Sequence, residues 1–385
     1  MSISADNGPL ALDAPPRRGT RDRLRLWRQS ALANPSFRAA LDRFPFTRWY
    51  ANRRAADLLS IMSGFVQSQV LFAALETSLL TRLQKSPATP DALSAALRIP
   101  IDRMRAFLQS TECLQLTTRL DTGECALDDF GSVVVSDPGI QTMIRHHALF
   151  YRDLSDPLKL LRNGPGGGEL NTFWTYVNGS GTAVTAESAR TYSAVMSSSQ
   201  VMLSQDILTA FDFKACTAVL DIGGGEGIFL ESLAREHPDL RIGLLDLPAV
   251  AERAGERLAA RGLMDRGRCH GGNFFTDPIP SGYDGVTLIR VLFDHDDDTV
   301  MRLLINIKNS VKSGTTIVVA EPMAGRGSAE RIAAAYFSIY LMAMGGGFCR
   351  SFNEIRILLE KAGFRSVKKR RCRRPMLGTV AVAQA

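Results

Sequence analysis

The chain has 385 residues, 45% hydrophobic and 22% charged, with a formal net charge of +7, which describes an ordinary soluble protein with room for two domains and sizeable cores. Its six cysteines (Cys113, Cys125, Cys216, Cys269, Cys349 and Cys372) form no C-x-x-C pair and no zinc spacing, so no metal site is expected and a reduced cytoplasmic protein is the simplest account. The positive excess crowds the two ends, at Arg17, Arg18, Arg21, Arg23, Arg25 and Arg28 and again at Lys368, Lys369, Arg370, Arg371, Arg373 and Arg374. Such clusters suit nucleic acid or anionic lipid, and equally a solvated face or a frayed tail.

The first ten residues are polar and show no charged segment leading into an apolar core, so no secretory signal is expected. Residues 1 to about 55 alternate arginine with Leu24, Leu26, Trp27, Leu32, Phe37, Phe44, Phe46 and Trp49, broken by Pro35 and Pro45, a pattern of short amphipathic helices lying on a surface. Apolar residues then recur at helical spacing from Ile61 to Leu83. Thr89-Pro90-Asp91 starts a helix with an apolar stripe of Leu93, Ala96 and Leu97, and Pro100-Ile101-Asp102 starts another carrying Met104, Phe107 and Leu108. After Leu114, the polar turn Asp121 to Glu124 separates two strand-like pieces, and helix, helix, hairpin reads as a winged helix. In a DNA-binding protein the second helix would enter the major groove, where only Arg98, Arg103 and Arg105 are on offer; joined to a cofactor domain, the same unit more often serves as a dimerisation platform. From Gln141 to Val201 the chain reads as helical with one glycine-rich break, Gly164 to Gly168. This stretch holds His146, His147, Phe150, Tyr151, Trp174 and Tyr176, which suit the lining of a ligand pocket or ordinary core and surface positions.

From about Lys214 onward strands and helices alternate, with strands expected at 217–222, 241–246, 284–290 and 315–321 and helices at Ile228–His237 and Thr299–Val311. This predicts an α/β fold with a doubly wound parallel sheet, whose ligands bind outside the carboxyl ends of the strands. Asp221, Asp246, Arg290 and Glu321 fall at those ends and are expected to converge on one crevice. The glycine turn Gly223-Gly224-Gly225-Glu226-Gly227 follows an apolar strand, and a second strand ends in Asp246, a carboxylate suited to ribose hydroxyls. A dinucleotide fingerprint read from Gly223 needs glycine where Ile228 stands, and read from Gly225 needs it where Leu230 stands. The third glycine is missing, and Asp221 places an anion where S-adenosylmethionine (SAM) brings a cationic amino group, so the turn reads as a SAM site. Gly272-Asn273-Phe274-Phe275 offers an amide and an aromatic face to the adenine, or is a plain turn. Ile332 to Phe348 is the nearest thing to a membrane span, but at about 17 apolar residues ending in three glycines a buried helix is expected.

Methyl transfer from SAM is an in-line displacement, so holding the reacting atoms in a line and excluding water matter most. An alcohol acceptor must also lose its proton, for which histidine is the usual base. His295, just past the third of these strand tips, lies among Asp294, Asp296, Asp297 and Asp298, which are expected to hold the imidazole and raise its basicity; Asp296 to Thr299 would also cap the next helix.

The ordered motifs VLDIGGGEG, LLDLP, GNFF, RVLFDHDD and VVAEP, together with the winged helix, resemble the small-molecule O-methyltransferases of the plant caffeate and bacterial polyketide type, from about residue 60 to the end. HHALFYRDLSDPLKLLRNGPGGGEL, RVLFDHDD and AYFSIYLMAMGGGFCRS resemble more narrowly the carotenoid branch of that family, the demethylspheroidene (hydroxyneurosporene) type of purple photosynthetic bacteria, over nearly the whole chain. The resemblance implies a Rossmann-like SAM-dependent methyltransferase domain (191–385), an N-terminal mainly helical winged-helix dimerisation domain (56–190) and a basic amphipathic arm (1–55), assembled as a homodimer. It implies methylation of the 1-hydroxyl of an acyclic carotenoid, giving a methoxy carotenoid such as spheroidene and S-adenosylhomocysteine (SAH). By position Gly223, Gly225 and Asp246 would bind SAM, Asn273 and Phe274 would sit by the adenine, and Arg290 beside the cofactor.

The chain departs from the family at the base. Where the plant enzymes read L-H-D-W, with histidine as base, Phe293 stands here; Glu321 matches the first of two glutamates flanking that base, and Cys349 holds the position of the second. A tertiary alkanol has a pKa on the order of water's ~15.7, so its deprotonation is expected to be late and concerted or left to water. His295 is the first candidate base, with Asp294 and Glu321 as supporting or alternative carboxylates. His146, His147, Trp174, Tyr336, Tyr340 and Met344 are assigned to the acceptor pocket, because the helix bearing Tyr336 to Met344 suits a long apolar ligand or a dimer core. A carotenoid lies in membrane, so the arginine- and tryptophan-bearing arm is expected to touch anionic headgroups, placing a cytoplasmic enzyme peripherally on the intracytoplasmic membrane. No nucleic-acid partner is expected. Competing readings are methylation of a polyketide or phenolic metabolite, a SAM-sensing winged-helix regulator that binds DNA, and an inactive SAM-binding scaffold.

Overall fold

The structure, a computed structural model, describes residues 19–41, 43–164, 168–177 and 200–385. The chain divides into two compact units after Ala73. In the first, helices α1 (Thr20–Ala33) and α2 (Pro35–Leu41) precede α3 (Pro45–Glu76), whose last residues enter the second unit. Pro35 and Pro45 are each the first residue of a helix, where the missing N–H costs nothing. The helices break at both prolines, as the sequence had suggested, but Pro45 opens one 32-residue helix and not a short piece. This helix, and not Ile332–Phe348, is the one among the described residues that is long and apolar enough to cross a membrane. Its side chains include Phe46, Ile61 and Phe65, all more than 70% exposed.

The second unit begins with α4 (Leu79–Lys85), α5 (Pro90–Leu97), α6 (Ile101–Cys113) and a hairpin of β1 (Thr117–Arg119) with β2 (Cys125–Leu127), the expected winged helix. Thr89 caps α5 by accepting the Ala92 N–H, and Leu79, Leu80, Leu93, Met104 and Leu108 are fully buried. Four helices follow: α7 (Asp129–Ser136), α8 (Pro138–Asp153), α9 (Pro157–Asn163) and α10 (Glu169–Val177). Pro157 adds a break between α8 and α9 that the sequence reading passed over, because Asp156 in front of it is an N-cap whose carboxylate accepts the Lys159 N–H. The rest of the expected helical stretch up to residue 199, and the side chains of Trp174 and Tyr176, lie outside the described residues.

A seven-stranded sheet forms the C-terminal half. In chain order its strands are β3 (Ala218–Ile222), β4 (Arg241–Asp246), β5 (Gly267–Gly271), β6 (Gly285–Ile289), β7 (Thr316–Glu321), β8 (Arg365–Arg370) and β9 (Thr379–Gln384), and in space they run β5-β4-β3-β6-β7-β9-β8. Helices α11 (Ile228–Glu236), α12 (Pro248–Ala260), α13 (Asp297–Ser310), α14 (Ser328–Met344) and α15 (Phe352–Lys361) complete the domain. Successive strand residues face opposite cores: Leu220, Leu288, Leu304 and Leu359 share one, Val219, Phe229, Ile242 and Leu258 the other. The sheet is not wholly parallel as expected: β9 runs antiparallel to β7, and β8 antiparallel to β9. This places Lys368, Lys369 and Arg370, exposed, on an edge strand, where charge discourages pairing with other chains. Strand order reverses between β3 and β6, the position at which such sheets bind ligands. Helix α14 accounts for most of the apolar run from Ile332, with Leu341 and Ala343 buried and Ile332 exposed.

Candidate active site

The turn after β3 is forced by its glycines. Gly223, Gly225 and Gly227 have φ of 69°, 56° and 77°, and a Cβ on Gly223 would stand 2.8 Å from the Val291 side chain. No atom lies within 4 Å of where a Gly225 Cβ would be, so backbone there is open to a ligand. The Gly225 N–H donates to Asp246 Oδ2 at 2.9 Å and the Leu247 N–H to Oδ1 at 2.7 Å. Burial nonetheless leaves the Asp246 carboxyl above its ordinary pKa. Each of its oxygens keeps a lone pair for a further donor. Ile228, where a dinucleotide fingerprint has its third glycine, is buried in the core at the start of α11. Asp221 lies beneath the turn, 1% exposed, accepting the Thr287 hydroxyl at 2.6 Å, and burial raises its pKa to about 7. In the loop after β5, Asn273 Oδ1 accepts the Phe275 N–H, and the Phe274 ring comes within 3.7 Å of the Gly223 Cβ position.

Arg290 and Glu321 belong to a second cluster, so the four strand-tip groups form two groupings. Arg290 adopts a left-handed φ of 54° at the end of β6. The Asp294 carboxyl is pushed well above the ordinary carboxylate range by burial and by Glu321, against the pull of Arg290. Burial likewise raises Glu321 to about 7. Among the described residues Asp294 Oδ1 and Glu321 Oε1 are buried without a hydrogen-bond partner, while Glu321 Oε2 accepts the Phe293 N–H at 3.1 Å. Cys349 does stand near Glu321, but burial holds its thiol up at about 11, so it stays protonated. His295 packs edge-on against Phe275, ring centroids 5.0 Å apart. Its acidic surroundings do not raise its basicity as expected: burial lowers its pKa, and of its charged neighbours Asp296 opposes that shift and Arg350 adds to it. Asp296 instead caps α13, which begins at Asp297.

Arg350, which sequence reasoning missed, fixes this segment. It is 3% exposed, and its guanidinium donates to the carbonyls of Leu292 and His295 and to Asp297 Oδ1, each at 2.8 Å. The glycine run before it has a steric cause: a Cβ on Gly347, at φ 101°, would lie 2.1 Å from the Phe293 carbonyl oxygen. The available signal was a lone arginine closing an otherwise apolar GGGFCRS segment.

The structure also joins α8 to α14. His146 Nε2 and the Tyr340 hydroxyl, and His147 Nε2 and the Tyr336 hydroxyl, lie 2.8 Å apart. Tyr336 stacks on Tyr340 at 5.4 Å, and Phe150 meets both rings edge-on. Met344 packs on this cluster, and its carbonyl accepts from Asn171 Nδ2 of α10. Trp174 lies on α10 with its side chain outside the described residues. Burial lowers the pKa of both histidines, His146 to about 4, and raises that of Tyr336. Phe337 meets both Tyr336 and Phe293 edge-on, linking the aromatic cluster to the strand tips.

A glycine turn pinned by a carboxylate at the reversal of strand order, with buried polar groups beside it, defines an α/β enzyme that binds a nucleoside cofactor. Residues 151–365 match the O-methyltransferase domain, and the chain belongs to that family of SAM-dependent enzymes. It is 39% identical over 92% of its length to a demethylspheroidene O-methyltransferase of Cereibacter sphaeroides, covering 93% of that protein. It is 36% identical over 89% of its length to the protein of the same name in Rhodobacter capsulatus, covering 85%. Its fold matches the SAH-bound structure of CalO1, a methyltransferase of calicheamicin biosynthesis, with a TM-score of 0.71 at 25% identity, over 86% of this chain and 98% of that one.

Replacing Arg350 by alanine strands the buried Leu292 carbonyl and the half-buried His295 carbonyl and should cost about 3 kcal/mol of stability. Thermal unfolding of Arg350→Ala is expected to show a lowered Tm together with reduced turnover; an unchanged Tm would show that the clamp is dispensable.

Proposed function

We propose that this enzyme methylates the 1-hydroxyl of an acyclic carotenoid of the demethylspheroidene or hydroxyneurosporene type. The observation that carries this reading is the 39% identity, over 92% of the chain, to a protein of that activity. In support, the described residues form an apolar groove of about 350 Å³ beside the aromatic cluster, lined by Phe150, Leu154, Leu160, Leu161, Tyr336 and Ile339. Such a lining suits an isoprenoid chain. Tyr336 lines this groove, Tyr340 and Met344 pack in the same cluster, and His147 and His146 are hydrogen-bonded to the two tyrosines; with Trp174, which rests on the sequence alone, they are assigned to the acceptor pocket.

SAM supplies a sulfonium methyl group as electrophile. For holding it, the open backbone at Gly223 and Gly225 and the remaining lone pairs of Asp246 fit a nucleoside with ribose hydroxyls. Phe274 and Asn273 flank the adenine side, Asp221 supports the turn from beneath, and Arg290 stands between cofactor and acceptor. Asp294 and Glu321, each with an oxygen unpartnered among the described residues, orient the acceptor hydroxyl; at neutral pH Asp294 is held protonated, while Glu321, at about 7, is partly ionised. His295, packed on Phe275 of the adenine loop, takes a positioning role. The winged helix serves as the dimerisation platform of a homodimer, and the basic arm with the exposed apolar residues of α1 and α3 docks the enzyme peripherally on anionic membrane.

Incubation with labelled SAM and detergent-solubilised 1-hydroxy carotenoids is expected to give a labelled methoxy product, while phenolic acceptors give little. Preferential labelling of phenols would instead support the phenolic or polyketide reading. In the same assay His295→Ala should keep kcat within 10-fold of wild type, whereas a loss on the order of 10²-fold or more would return the role of base to His295.

Removing residues 1–50 should weaken binding to vesicles rich in anionic lipid and leave SAM affinity intact. Equal vesicle binding by the full and shortened chains would refute membrane docking through this arm.

A further inference from the structure

We propose that Tyr336 and His147 form the proton relay this chain uses in place of the histidine that Phe293 displaces: the Tyr336 phenolic oxygen takes the proton of the acceptor hydroxyl while its own proton passes to His147 Nε2. The inference rests on the reading of a hydroxylated polyene as acceptor, and four observations carry it. The two groups already lie 2.8 Å apart. Tyr336 lines the 350 Å³ apolar groove with its ring, among the described residues, while its hydroxyl meets His147. Phe337 packs edge-on against both Tyr336 and Phe293, with ring centroids 4.9 and 5.9 Å apart, so the pair lies one ring away from position 293. The neighbouring pair, His146 with Tyr340, is sealed at 4% and 7% exposure and buttresses the first from behind.

The step balances. The acceptor O–H bond breaks as the O–CH3 bond forms, the electron pair of the methyl–sulfur bond returns to sulfur, and the proton ends on His147. One imidazolium thus replaces one sulfonium, with no net change of charge in the pocket, and His147 then releases its proton to water. The relay requires the His147 tautomer with its proton on Nδ1. Burial favours the neutral imidazole that such an acceptor must be. The titratable and charged groups that act on the pair are His146 and Tyr151 of α8, Tyr340 of α14 and Arg290 just past β6, with Asp294 and Glu321 beyond Arg290.

The test compares wild type, Tyr336→Phe and His147→Gln for kcat and for the pH profile of kcat/KM, with SAH affinity and Tm as controls on folding. Both variants are expected to bind SAH as wild type does and to lose on the order of 10²-fold in kcat. In wild type the acidic limb should lie below pH 6.5, because the base is inactive once protonated and the His147 pKa is lowered from its ordinary 6.5. His147→Gln should abolish that limb. Tyr336→Phe activity within threefold of wild type, or a limb that survives His147→Gln and therefore belongs to Asp294 and Glu321, would overturn the relay. If wild type methylates a phenol and not the carotenoid alcohol, the proposed function fails separately, and the same two variants judge the relay on that phenol.

Discussion

Arg350 donates three hydrogen bonds to the segment Leu292–Asp297 from a position almost sealed from solvent, and the geometry of the second cluster follows from that clamp. A buried guanidinium is costly unless its donors are met, so it can persist only where the chain bends its carbonyls towards it. Here the bend is the short turn between β6 and α13. It turns the Phe293 N–H onto Glu321, lays His295 against Phe275, and leaves Asp294 with one oxygen unpartnered. The glycines at 345–347 let a second stretch of backbone close on the same segment, where the Phe348 N–H donates to the Phe293 carbonyl.

Desolvation then sets the protonation states. The carboxyls of Asp221, Asp294 and Glu321 rise, and His146, His147 and His295 fall, each with burial as the largest cause. Every one of these groups is driven towards its neutral form. In a poorly solvated pocket the interactions that remain are strong, and a reaction that moves one positive charge from sulfur to a proton acceptor is best served by a site that neither traps the first charge nor repels the second.

The sequence revealed the parts of this arrangement that depend on local rules. The winged helix was legible from Thr89-Pro90-Asp91, Pro100 and a polar turn, and the cofactor turn from its glycines and the two strand-end aspartates. Features that depend on distant partners were not. Strands β8 and β9 escaped because β8 is a run of arginine and lysine, and only its pairing at a sheet edge makes that run a strand. The break at Pro45 was legible, but not that the helix it opens would run on for 32 residues, because a proline at a helix start does not say where the helix ends. The basicity of His295 was misjudged because nearby aspartates are visible in a sequence and burial is not. Arg350 is separated by 53 residues from Asp297, the carboxylate it meets, and no spacing rule links them.

A phenylalanine at 293, where the resemblance to the plant enzymes leads one to expect a histidine, fits the acceptor's acidity. An alkanol near pKa ~15.7 lies roughly nine units above an ordinary imidazole, so ionising it first would cost about 12 kcal/mol. No neutral side chain at position 293 would relieve that. The hydroxyl becomes acidic only as the new carbon–oxygen bond forms and positive charge develops on its oxygen. At that stage an acceptor needs position more than basicity, and a phenol already bonded to a neutral imidazole meets the requirement without carrying charge beforehand. Phe293 is then free to pack against Phe337 at 5.9 Å and keep water from the strand tips. A dry apolar wall there serves a long hydrocarbon acceptor better than an imidazole would, while proton removal passes to the tyrosine–histidine pair.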